Sequence, residues 1–326
     1  MAAGAIVISA VVALTGCGSS SKAADTTAAT TASVADTTSG APDTVAAGTT
    51  SALDTVAAGT TGAPDTTAAG AVSAMSAGCA PASLAVKSAG KLTIGTDKPA
   101  YPPWFVDDTP TNGKGFESAV GYAIADTLGF AKDAVEWKTV AFNSSYAPGS
   151  KAFDFDLNQI SITPERKAAV DFSDGYYEVN QAVVALNDSP AAAATTLAEL
   201  KKFKFGAQVG TTSLDFIKNT IGADKEPFIY DDTNGAKVAL TGKQIDAIVV
   251  DLPTAFYITS AEIDGSKVVG QFPSGGGGEQ FGALLEKGSK LTPCINEALT
   301  ILKGSGKLAA IQESELATAT KALLFK

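Results

Sequence analysis

Three successive copies of an eleven-residue unit occupy residues 41–73 of this 326-residue chain, and they limit the part that can fold. The copies read APDTVAAGTTS, ALDTVAAGTTG and APDTTAAGAVS, and residues 18–78 as a whole are almost entirely Ala, Thr, Gly, Ser, Asp, Val and Pro. An eleven-residue period can mark a supercoiled helix, but these units carry Gly, paired Thr and Pro without an apolar seam. We therefore predict that residues 18–78 form a disordered tether and that the folded part begins at Cys79.

The residues before this tether predict export. Residues 2–15 are small and apolar, a stretch too short to span a bilayer and typical of a signal peptide. The following sequence, Leu14-Thr15-Gly16-Cys17, resembles a bacterial lipobox, in which the cysteine is lipidated and becomes the new N-terminus. We predict a lipoprotein signal peptide over residues 1–17 and a lipid anchor on Cys17 that holds the protein at the outer face of the cytoplasmic membrane. The alternative is an ordinary secretory signal with a chance cysteine.

The charge balance and the absence of histidine exclude several functions. The chain has 34 acidic and 24 basic residues, a formal charge of −10 and no histidine. This acidity argues against nucleic acid as a partner. Without histidine there is no Ser–His–Asp or Cys–His catalysis and no histidine-ligated metal site, and three cysteines cannot form a four-cysteine zinc site. We expect neither a metal nor a cofactor.

The other two cysteines, Cys79 and Cys294, form an even pair once Cys17 carries lipid. In an oxidising compartment such a pair favours a disulfide. The bond would join the start of the folded part to a predicted helix over residues 293–303. The alternative is two free thiols.

Alternating strand and helix patterns after Cys79 predict an α/β fold. Residues 91–96, 203–209 and 244–250 have strand patterns, and residues 116–128, 212–220 and 252–260 have helical patterns. The repeated order of strand then helix indicates parallel sheets. The 248 residues from Cys79 onward approach the size at which a single core stops growing, so we expect two lobes.

Arg166 is the single arginine among the 24 basic residues. Its planar guanidinium suits bidentate capture of a carboxylate, and the neighbouring Ser161 and Thr163 offer hydroxyl groups. The alternative is a surface arginine at a helix start, paired with Glu165 or Asp171.

Three further segments are candidates for a ligand site. Asp251 ends a buried strand, where ligands collect in open α/β sheets, and could hold an ammonium group, but it also suits an N-cap. Gly210–Ser213 links a strand to a helix and could bind an anion. The loop from Asp97 to Phe105 carries aromatic side chains that could wall a pocket or pack in a core. The glycine run 275–278 lacks a nucleotide-binding context and is interpreted as a surface loop.

Taken together, these motifs resemble the family 3 extracellular solute-binding proteins of ABC transporters for polar amino acids, over residues 84–326. The segments that carry the resemblance are LTIGTD (92–97), YPPWF (101–105), GFE (115–117), SITPER (161–166), VDFS (170–173), YY (176–177), GTT (210–212) and IDAIVVD (245–251). The longer segment FDFDLNQIS (153–161) looks like an actinobacterial branch of the family.

The resemblance implies a periplasmic-binding-protein type II fold, in which two α/β lobes close around the ligand. Lobe 1 would combine residues 84–183 with 271–326, and lobe 2 would span residues 184–270. The resemblance also implies a role without catalysis: a monomeric, extracytoplasmic binding lipoprotein that delivers a free polar amino acid to the permease and ATPase of an ABC importer. The alternatives are a cyclohexadienyl or arogenate dehydratase-like enzyme on the same fold, and a sensory module that reports amino acids to a membrane kinase.

The resemblance further implies roles for individual residues. Arg166 would pair with the ligand's α-carboxylate, supported by Ser161 and Thr212, and Asp251 would hold the α-ammonium group. Tyr101 would stack on the ligand side chain, with Trp104 and Phe105 on the same wall. The residues expected to border the pocket are Asp97, Asn158, Gln159 and Thr211. The preferred amino acid stays open, because the amide of Gln159 suits a neutral ligand such as glutamine whereas the net acidity suits a cationic one.

Overall fold

The computed structural model of the chain describes residues 74–272, 278–316 and 325, and within these ranges ten strands form two five-stranded sheets. The strands are β1 (Leu92–Thr96), β2 (Val135–Thr139), β3 (Phe155–Asp156), β4 (Asp171–Glu178), β5 (Gln181–Leu186), β6 (Phe205–Gln208), β7 (Phe228–Tyr230), β8 (Ala247–Asp251), β9 (Ser266–Gln271) and β10 (Gln280–Leu285). The first sheet has the order β2-β1-β3-β10-β4 and the second has the order β7-β6-β8-β5-β9. We call the elements around each sheet the first lobe and the second lobe, and the predicted two-lobed α/β fold is confirmed.

One strand in each sheet runs against the others. In the first sheet β10 is antiparallel to β3 and β4, and in the second sheet β5 is antiparallel to β8 and β9, whereas the other pairs are parallel. The sequence predicted parallel sheets. The difference arises because β5 and β10 each follow directly from the other sheet, so each enters its own sheet from the edge at which the parallel strands end.

The chain passes between the sheets twice, after β4 and after β9. The two passages lie side by side, because the backbone N–H of Val179 donates to the carbonyl oxygen of Glu279 over 2.9 Å. The strand β5 already pairs with the second sheet from Gln181. The lobe limits predicted at residues 183/184 and 270/271 stay a prediction.

Nine α-helices of the described ranges connect these strands. They are α1 (Phe116–Thr127), α2 (Phe142–Ser145), α3 (Pro164–Ala169), α4 (Leu197–Leu200), α5 (Thr212–Asp215), α6 (Thr233–Thr241), α7 (Leu252–Tyr257), α8 (Thr292–Gly304) and α9 (Lys307–Leu316). Two of them continue as π-helical segments, α5 into Phe216–Ile221 and α7 into Ile258–Glu262. The helices predicted over 116–128, 212–220, 252–260 and 293–303 correspond to α1, α5 and α7 with their continuations, and α8.

The two lobes have different cores. In the first lobe Trp104 is fully buried, and its ring meets those of Phe116, Tyr177 and Phe281 edge-on at centroid distances of 6.0, 5.5 and 5.4 Å. In the second lobe the sheet is covered on both faces, since alternate residues of Ala182–Ala185 pack into separate apolar clusters. Each lobe therefore has its own core, as expected for a folded part of this size.

Cys79 and Cys294 form a disulfide that joins the segment before β1 to α8, with their Cα atoms 5.4 Å apart. The contact between these segments extends beyond the disulfide, because the backbone N–H and the hydroxyl of Ser76 both donate to the carboxylate of Glu297 on α8. Ser76, which lies within the predicted tether, is thus held against α8.

Several predictions concern residues outside the ranges that the structure describes. They are the signal peptide over residues 1–17, the lipidated Cys17, the tether over residues 18–73 and the glycine run at residues 275–277. Of the helices within the described ranges, none is long and apolar enough to cross a membrane.

Candidate ligand-binding site

A cavity of about 70 Å³ lies between the two sheets, at the carboxyl ends of the parallel strands. Its wall includes eight of the residues that the sequence analysis assigned to the ligand: Asp97, Tyr101, Asn158, Gln159, Arg166, Thr211, Thr212 and Asp251. The other wall residues are Pro99, Phe142, Ala207, Gln208, Ser213, Thr233, Ala236, Val249, Val250 and Thr254. Both lobes contribute to this wall, so a ligand inside would contact both.

Arg166 connects the two lobes at this cavity. Its Nη1 donates to the carbonyl oxygen of Ser161 over 2.8 Å, and its Nη2 donates to that of Gly210 in the second lobe over 2.9 Å. The guanidinium also lies over the rings of Tyr146 and Phe142, 4.8 and 5.4 Å from their centroids. These contacts fix the plane of the guanidinium while using two of its five N–H groups.

The local sequence explains why this arginine is well positioned. Thr163 caps α3 by accepting a hydrogen bond from the backbone N–H of Arg166 over 3.2 Å, and Pro164 occupies the first helical position. Burial lowers the pKa of Arg166. An arginine nevertheless stays charged at physiological pH, because its ordinary pKa is far above 7. The cavity therefore holds a fixed cation.

Asp251 supplies a carboxyl group at the end of β8. Although it precedes α7, its side chain makes no capping hydrogen bond. Its Oδ1 instead accepts from Nε2 of Gln181 over 2.7 Å. Burial raises the pKa of Asp251 well above its ordinary value, and the nearby carboxylate of Glu279 raises it further. A cationic group inside the cavity would favour the ionised form of this carboxyl group.

The hydroxyl groups of Ser161 and Thr212 meet where the lobes adjoin, with their oxygens 3.4 Å apart. Both hydroxyls donate to Oε1 of Glu279, and Oε2 of the same side chain accepts from Nε2 of Gln181 over 3.1 Å. Ser161 is not on the cavity wall itself but adjoins it through Thr212. The sequence analysis assigned both hydroxyls to the ligand carboxylate and assigned nothing to the glutamate that holds them.

A second acidic region of the wall surrounds Asp97. Its Oδ1 accepts from the backbone N–H of Lys98 over 2.6 Å, and its Oδ2 accepts from that of Phe142 over 3.1 Å. Burial raises the pKa of Asp97, and the nearby carboxylate of Asp232 adds to the increase. Burial and Asp232 likewise raise the pKa of Tyr101. The phenol therefore stays neutral, and this region carries negative charge.

A lysine beside this region, Lys237, is already paired with a glutamate. Lys237 Nζ lies 5.4 Å from the centroid of the Tyr101 ring. It also donates to both carboxylate oxygens of Glu262, over 2.8 and 2.9 Å. This ion pair offsets the positive charge of Lys237. Lys237 therefore does not neutralise the carboxylates around Asp97.

Gln159 is held in an unusual conformation. Its φ of 48° lies in the left-handed region, which residues other than glycine rarely adopt. The carboxylate of Glu117 on α1 accepts hydrogen bonds from both the backbone N–H (2.7 Å) and Nε2 of Gln159, and another from the hydroxyl of Tyr176. Burial raises the pKa of Glu117 to about 7. The amide nitrogen of Gln159 therefore faces Glu117. This contact argues against recognition of the ligand side chain by the Gln159 amide.

Trp104 and Phe105 are not on the cavity wall. Both are fully buried in the aromatic core of the first lobe, and Phe105 packs edge-on against Trp137 at 5.6 Å. The indole of Trp104 nevertheless reaches the opposite lobe, since Nε1 donates to Oγ1 of Thr254 over 2.8 Å. Of the aromatic side chains in this loop, Tyr101 lines the cavity, because Trp104 and Phe105 turn into the core.

The sequence analysis gave no individual role to four side chains around the site, namely Tyr146, Glu117, Gln181 and Glu279. For Tyr146 a signal was present, since Phe142 and Tyr146 are four residues apart and such spacing places two aromatic rings on one side of a helical turn. The others carry no such signal, because a single acid or amide has no periodicity.

Comparison with known proteins agrees with this geometry. Residues 92–317 match the bacterial extracellular solute-binding proteins, family 3. The chain belongs to this family. One curated relative of this chain is the L-cystine-binding protein TcyJ of Escherichia coli (strain K12). It is 28% identical over 230 residues, which cover 70% of this chain and 83% of the relative. Another is the arginine-binding extracellular protein ArtP of Bacillus subtilis (strain 168), 28% identical over 68% of this chain and 85% of the relative.

Solved structures of family 3 solute-binding proteins and their relatives resemble this chain as well. An ancestral arginine-binding protein bound to glutamine is 34% identical and has a TM-score of 0.60, covering 69% of this chain and 97% of that structure. The ancestral amino acid-binding protein AncCDT-1, a precursor of cyclohexadienyl dehydratase, is 28% identical with a TM-score of 0.57, covering 70% of this chain and 95% of that structure. The family match over residues 92–317 includes all the strands of both sheets.

Proposed function

We propose that this chain is the substrate-binding component of an ABC importer and that it binds a free amino acid between its two lobes. The observation that carries the proposal is the placement of Arg166 and Asp251, a fixed cation and a carboxyl group, on the wall of one cavity between the sheets. A zwitterionic amino acid needs both charges, and it needs each of them hydrogen-bonded once water is excluded.

The lobes supply these contacts jointly. Arg166 belongs to the first lobe and already contacts the backbone of the second at Gly210, whereas Asp251 belongs to the second. A ligand between them completes its hydrogen bonds only when the lobes are closed. Ligand binding then shifts the equilibrium towards the closed form, which a membrane permease can distinguish from the open form.

For the ligand side chain we propose a cationic group, with arginine as the first candidate. Asp97 lies on the cavity wall with Asp232 nearby, Tyr101 offers an aromatic face, and Lys237 is paired with Glu262. A guanidinium suits such a region because it can donate to carboxylates and stack on an aromatic ring. The relatives named for binding arginine support this choice.

We further propose that the protein is a monomeric lipoprotein held at the outer face of the cytoplasmic membrane through Cys17. Membership of a family of extracellular proteins supports an extracytoplasmic location. The expected test is metabolic labelling with an alkyne fatty acid, in which the full-length chain incorporates label and Cys17→Ser does not. Label in both would assign the lipid to another residue, and label in neither would leave an ordinary secretory signal.

The function itself is tested by thermal unfolding of the full-length chain with each of the twenty amino acids. A ligand at one hundred times its dissociation constant stabilises a protein by about 2.7 kcal/mol. We expect arginine to stabilise the wild type and to have no effect on Arg166→Ala, while the control Lys167→Ala, an exposed neighbour, responds like wild type. If no amino acid stabilises the wild type, the proposed function is wrong.

One solved relative suggests a second candidate, an enzyme, because AncCDT-1 is described as a precursor of a dehydratase. Such an enzyme would convert prephenate or arogenate to its aromatic product with release of water and carbon dioxide. Incubating the wild-type chain with each acid and measuring the aromatic product by absorbance separates the two functions. Turnover would replace the transport proposal with a catalytic one.

A further inference from the structure

Glu279 lies at the junction of the lobes and contacts both of them. It lies in the second passage between the sheets, directly before β10, and its carbonyl oxygen accepts from Val179 in the first passage. Its side chain accepts hydrogen bonds from three groups: the hydroxyl of Ser161 in the first lobe, the hydroxyl of Thr212 in the second, and Nε2 of Gln181 at the start of β5. The carboxylate thus contacts both lobes, and the backbone carbonyl oxygen of the same residue contacts the first passage.

These hydrogen bonds determine where the hydroxyl protons lie. A serine or threonine hydroxyl has one proton and two lone pairs, and an ionised carboxylate can only accept. Because Ser161 and Thr212 both direct their single proton to Glu279, neither has a proton left for a ligand. Each oxygen can offer only lone pairs, and Thr212 lies on the cavity wall.

Gln181 extends the same arrangement to Asp251. Its Nε2 donates one hydrogen bond to Asp251 and one to Glu279, and its Oε1 accepts from the hydroxyl of Ser213 over 2.7 Å. This orientation of the amide is therefore specified on both sides. The acceptors at this end of the cavity are consequently the carboxyl group of Asp251, the hydroxyl oxygen of Thr212 on the wall, and that of Ser161, which lies 3.4 Å behind Thr212.

We propose that Glu279 is a positioning residue for the ligand's ammonium group, because it turns the hydroxyl oxygens of Ser161 and Thr212 into acceptors that join Asp251. This inference rests on the proposed amino-acid-binding function. It changes one expectation drawn from the resemblance, in which Ser161 and Thr212 support the ligand carboxylate. With their protons held by Glu279, their hydroxyls suit the ammonium group, and the carboxylate is left to Arg166.

Two variants of Glu279 test this arrangement. In Glu279→Gln the amide oxygen can accept from the two hydroxyls or from Gln181 Nε2, but not from both sides, so one set of contacts is lost. In Glu279→Ala no acceptor remains, and the hydroxyl protons become free to turn towards the cavity. The matched control is Glu226→Gln, which removes the charge of an exposed glutamate.

The probes are amino acids and their truncated analogues, measured by titration calorimetry with the full-length chain. L-Arginine is compared with agmatine, which lacks the carboxylate, and with 5-guanidinopentanoate, which lacks the α-amino group. The corresponding set for L-glutamine is 4-aminobutanamide and glutaramate. The set used is that of the amino acid which stabilises the wild type more.

We expect Glu279→Gln to weaken binding of the amino acid and of the analogue that keeps the amine by about tenfold to a hundredfold, the usual range for hydrogen bonds to a charged group. Binding of the analogue without the amine should be unchanged in Glu279→Gln and equal or tighter in Glu279→Ala, because free hydroxyl protons can then donate to its carboxylate. The control Glu226→Gln should bind all three probes like wild type.

The opposite results would overturn the proposal in distinguishable ways. Equal losses for all three probes would make Glu279 a structural residue of the junction, and tighter binding of the intact amino acid would make it a competitor of the ligand carboxylate. Unchanged binding of every probe would leave the proposed function standing and this inference wrong. If the wild type binds no amino acid, the proposed function itself fails. Thermal unfolding of each variant establishes that it folds, and Glu279→Gln suffices where Glu279→Ala does not.

Discussion

Arg166 of the first lobe donates a hydrogen bond from Nη2 to the carbonyl oxygen of Gly210 in the second lobe, over 2.9 Å. The same guanidinium donates to Ser161 within its own lobe, over 2.8 Å. One side chain therefore holds the lobes together through backbone acceptors. A ligand carboxylate that engages this guanidinium would add its own bonds to the same connection between the lobes.

The geometry of Arg166 predicts that charge alone cannot replace it. In Arg166→Lys the positive charge remains, but the planar pair of donors and the stacking on Tyr146 are lost. We expect the affinity for the amino acid to fall by about tenfold to a hundredfold, the effect of losing hydrogen bonds to a charged group. Titration calorimetry measures this change. Wild-type affinity in Arg166→Lys would show that a point charge is sufficient.

The raised pKa of Asp251 predicts that binding weakens in acid. The ammonium group needs the ionised carboxylate, and burial together with Glu279 favours the protonated form. Affinity should therefore fall as the pH drops through the raised pKa, at values where an ordinary aspartate is still ionised. Dissociation constants measured from pH 8 down to pH 4 test this. In Asp251→Asn affinity should be low throughout and its pH dependence flatter, and an unchanged profile would assign the titration to another group.

Glu117 predicts a pH dependence of stability. Burial raises its pKa from 4.5 to about 7, so the folded protein keeps a proton that the unfolded chain releases between these values. Its contribution to stability is fully present below pH 4.5 and is lost as the pH rises through 7, a change of roughly 3 kcal/mol. Urea unfolding at pH 5 and pH 8 should show a correspondingly smaller decrease in Glu117→Gln than in wild type. Equal decreases in both would contradict the assignment to Glu117.

The disulfide predicts a large effect on stability and little on binding. It connects residues 215 positions apart, and closing so long a loop restricts the unfolded chain by about 5 kcal/mol in the chain-entropy description. Replacing both Cys79 and Cys294 by serine should lower the melting temperature by roughly 10 °C, given the usual dependence for a domain of this size. Amino-acid affinity at 25 °C should be retained. An unchanged melting temperature would mean that the other contacts between α8 and the N-terminal segment suffice.

The hydrogen bond from Trp104 to Thr254 predicts an optical signal of lobe closure. The indole belongs to the first lobe and its acceptor to the second, so lobe movement changes its surroundings. Ligand binding should alter the tryptophan emission of the wild type and of Trp137→Phe, because Trp104 remains in both. The chain has two tryptophans, so Trp104→Phe is the matched variant, and it should lose the response. A response retained in Trp104→Phe would place the signal at Trp137.

Much of the fold was predictable because the sequence patterns typical of strands and helices are present in both lobes. The strand predicted over residues 91–96 is β1, and those over 203–209 and 244–250 are β6 and β8, shifted by one to three residues at their ends. The antiparallel strands β5 and β10 were not predicted as such. Strand direction depends on the edge from which the chain enters a sheet, and no local pattern carries that information.

The site was predictable where a residue type is rare or lies at a strand end, as with Arg166 and Asp251. It was less predictable where a neighbouring side chain decides the role. Glu279 follows a glycine run and has no periodic partner, although it contacts both hydroxyls that the sequence singled out. Trp104 was expected on the cavity wall and lies in the core, since the direction in which a proline-rich loop turns is set by packing against Phe116 and Phe281.

The side-by-side passages between the sheets give the chain an order of assembly. The second sheet is formed by one continuous stretch, from β5 to β9, so all of its strands have been synthesised before β10 emerges. The first sheet lacks a central strand until β10 arrives, and Cys79 must wait for Cys294, 215 residues later, to form its disulfide. During synthesis the sheet that begins the folded part is thus the last to be completed, and a chain truncated before β10 would retain a whole second sheet beside an unfinished first one.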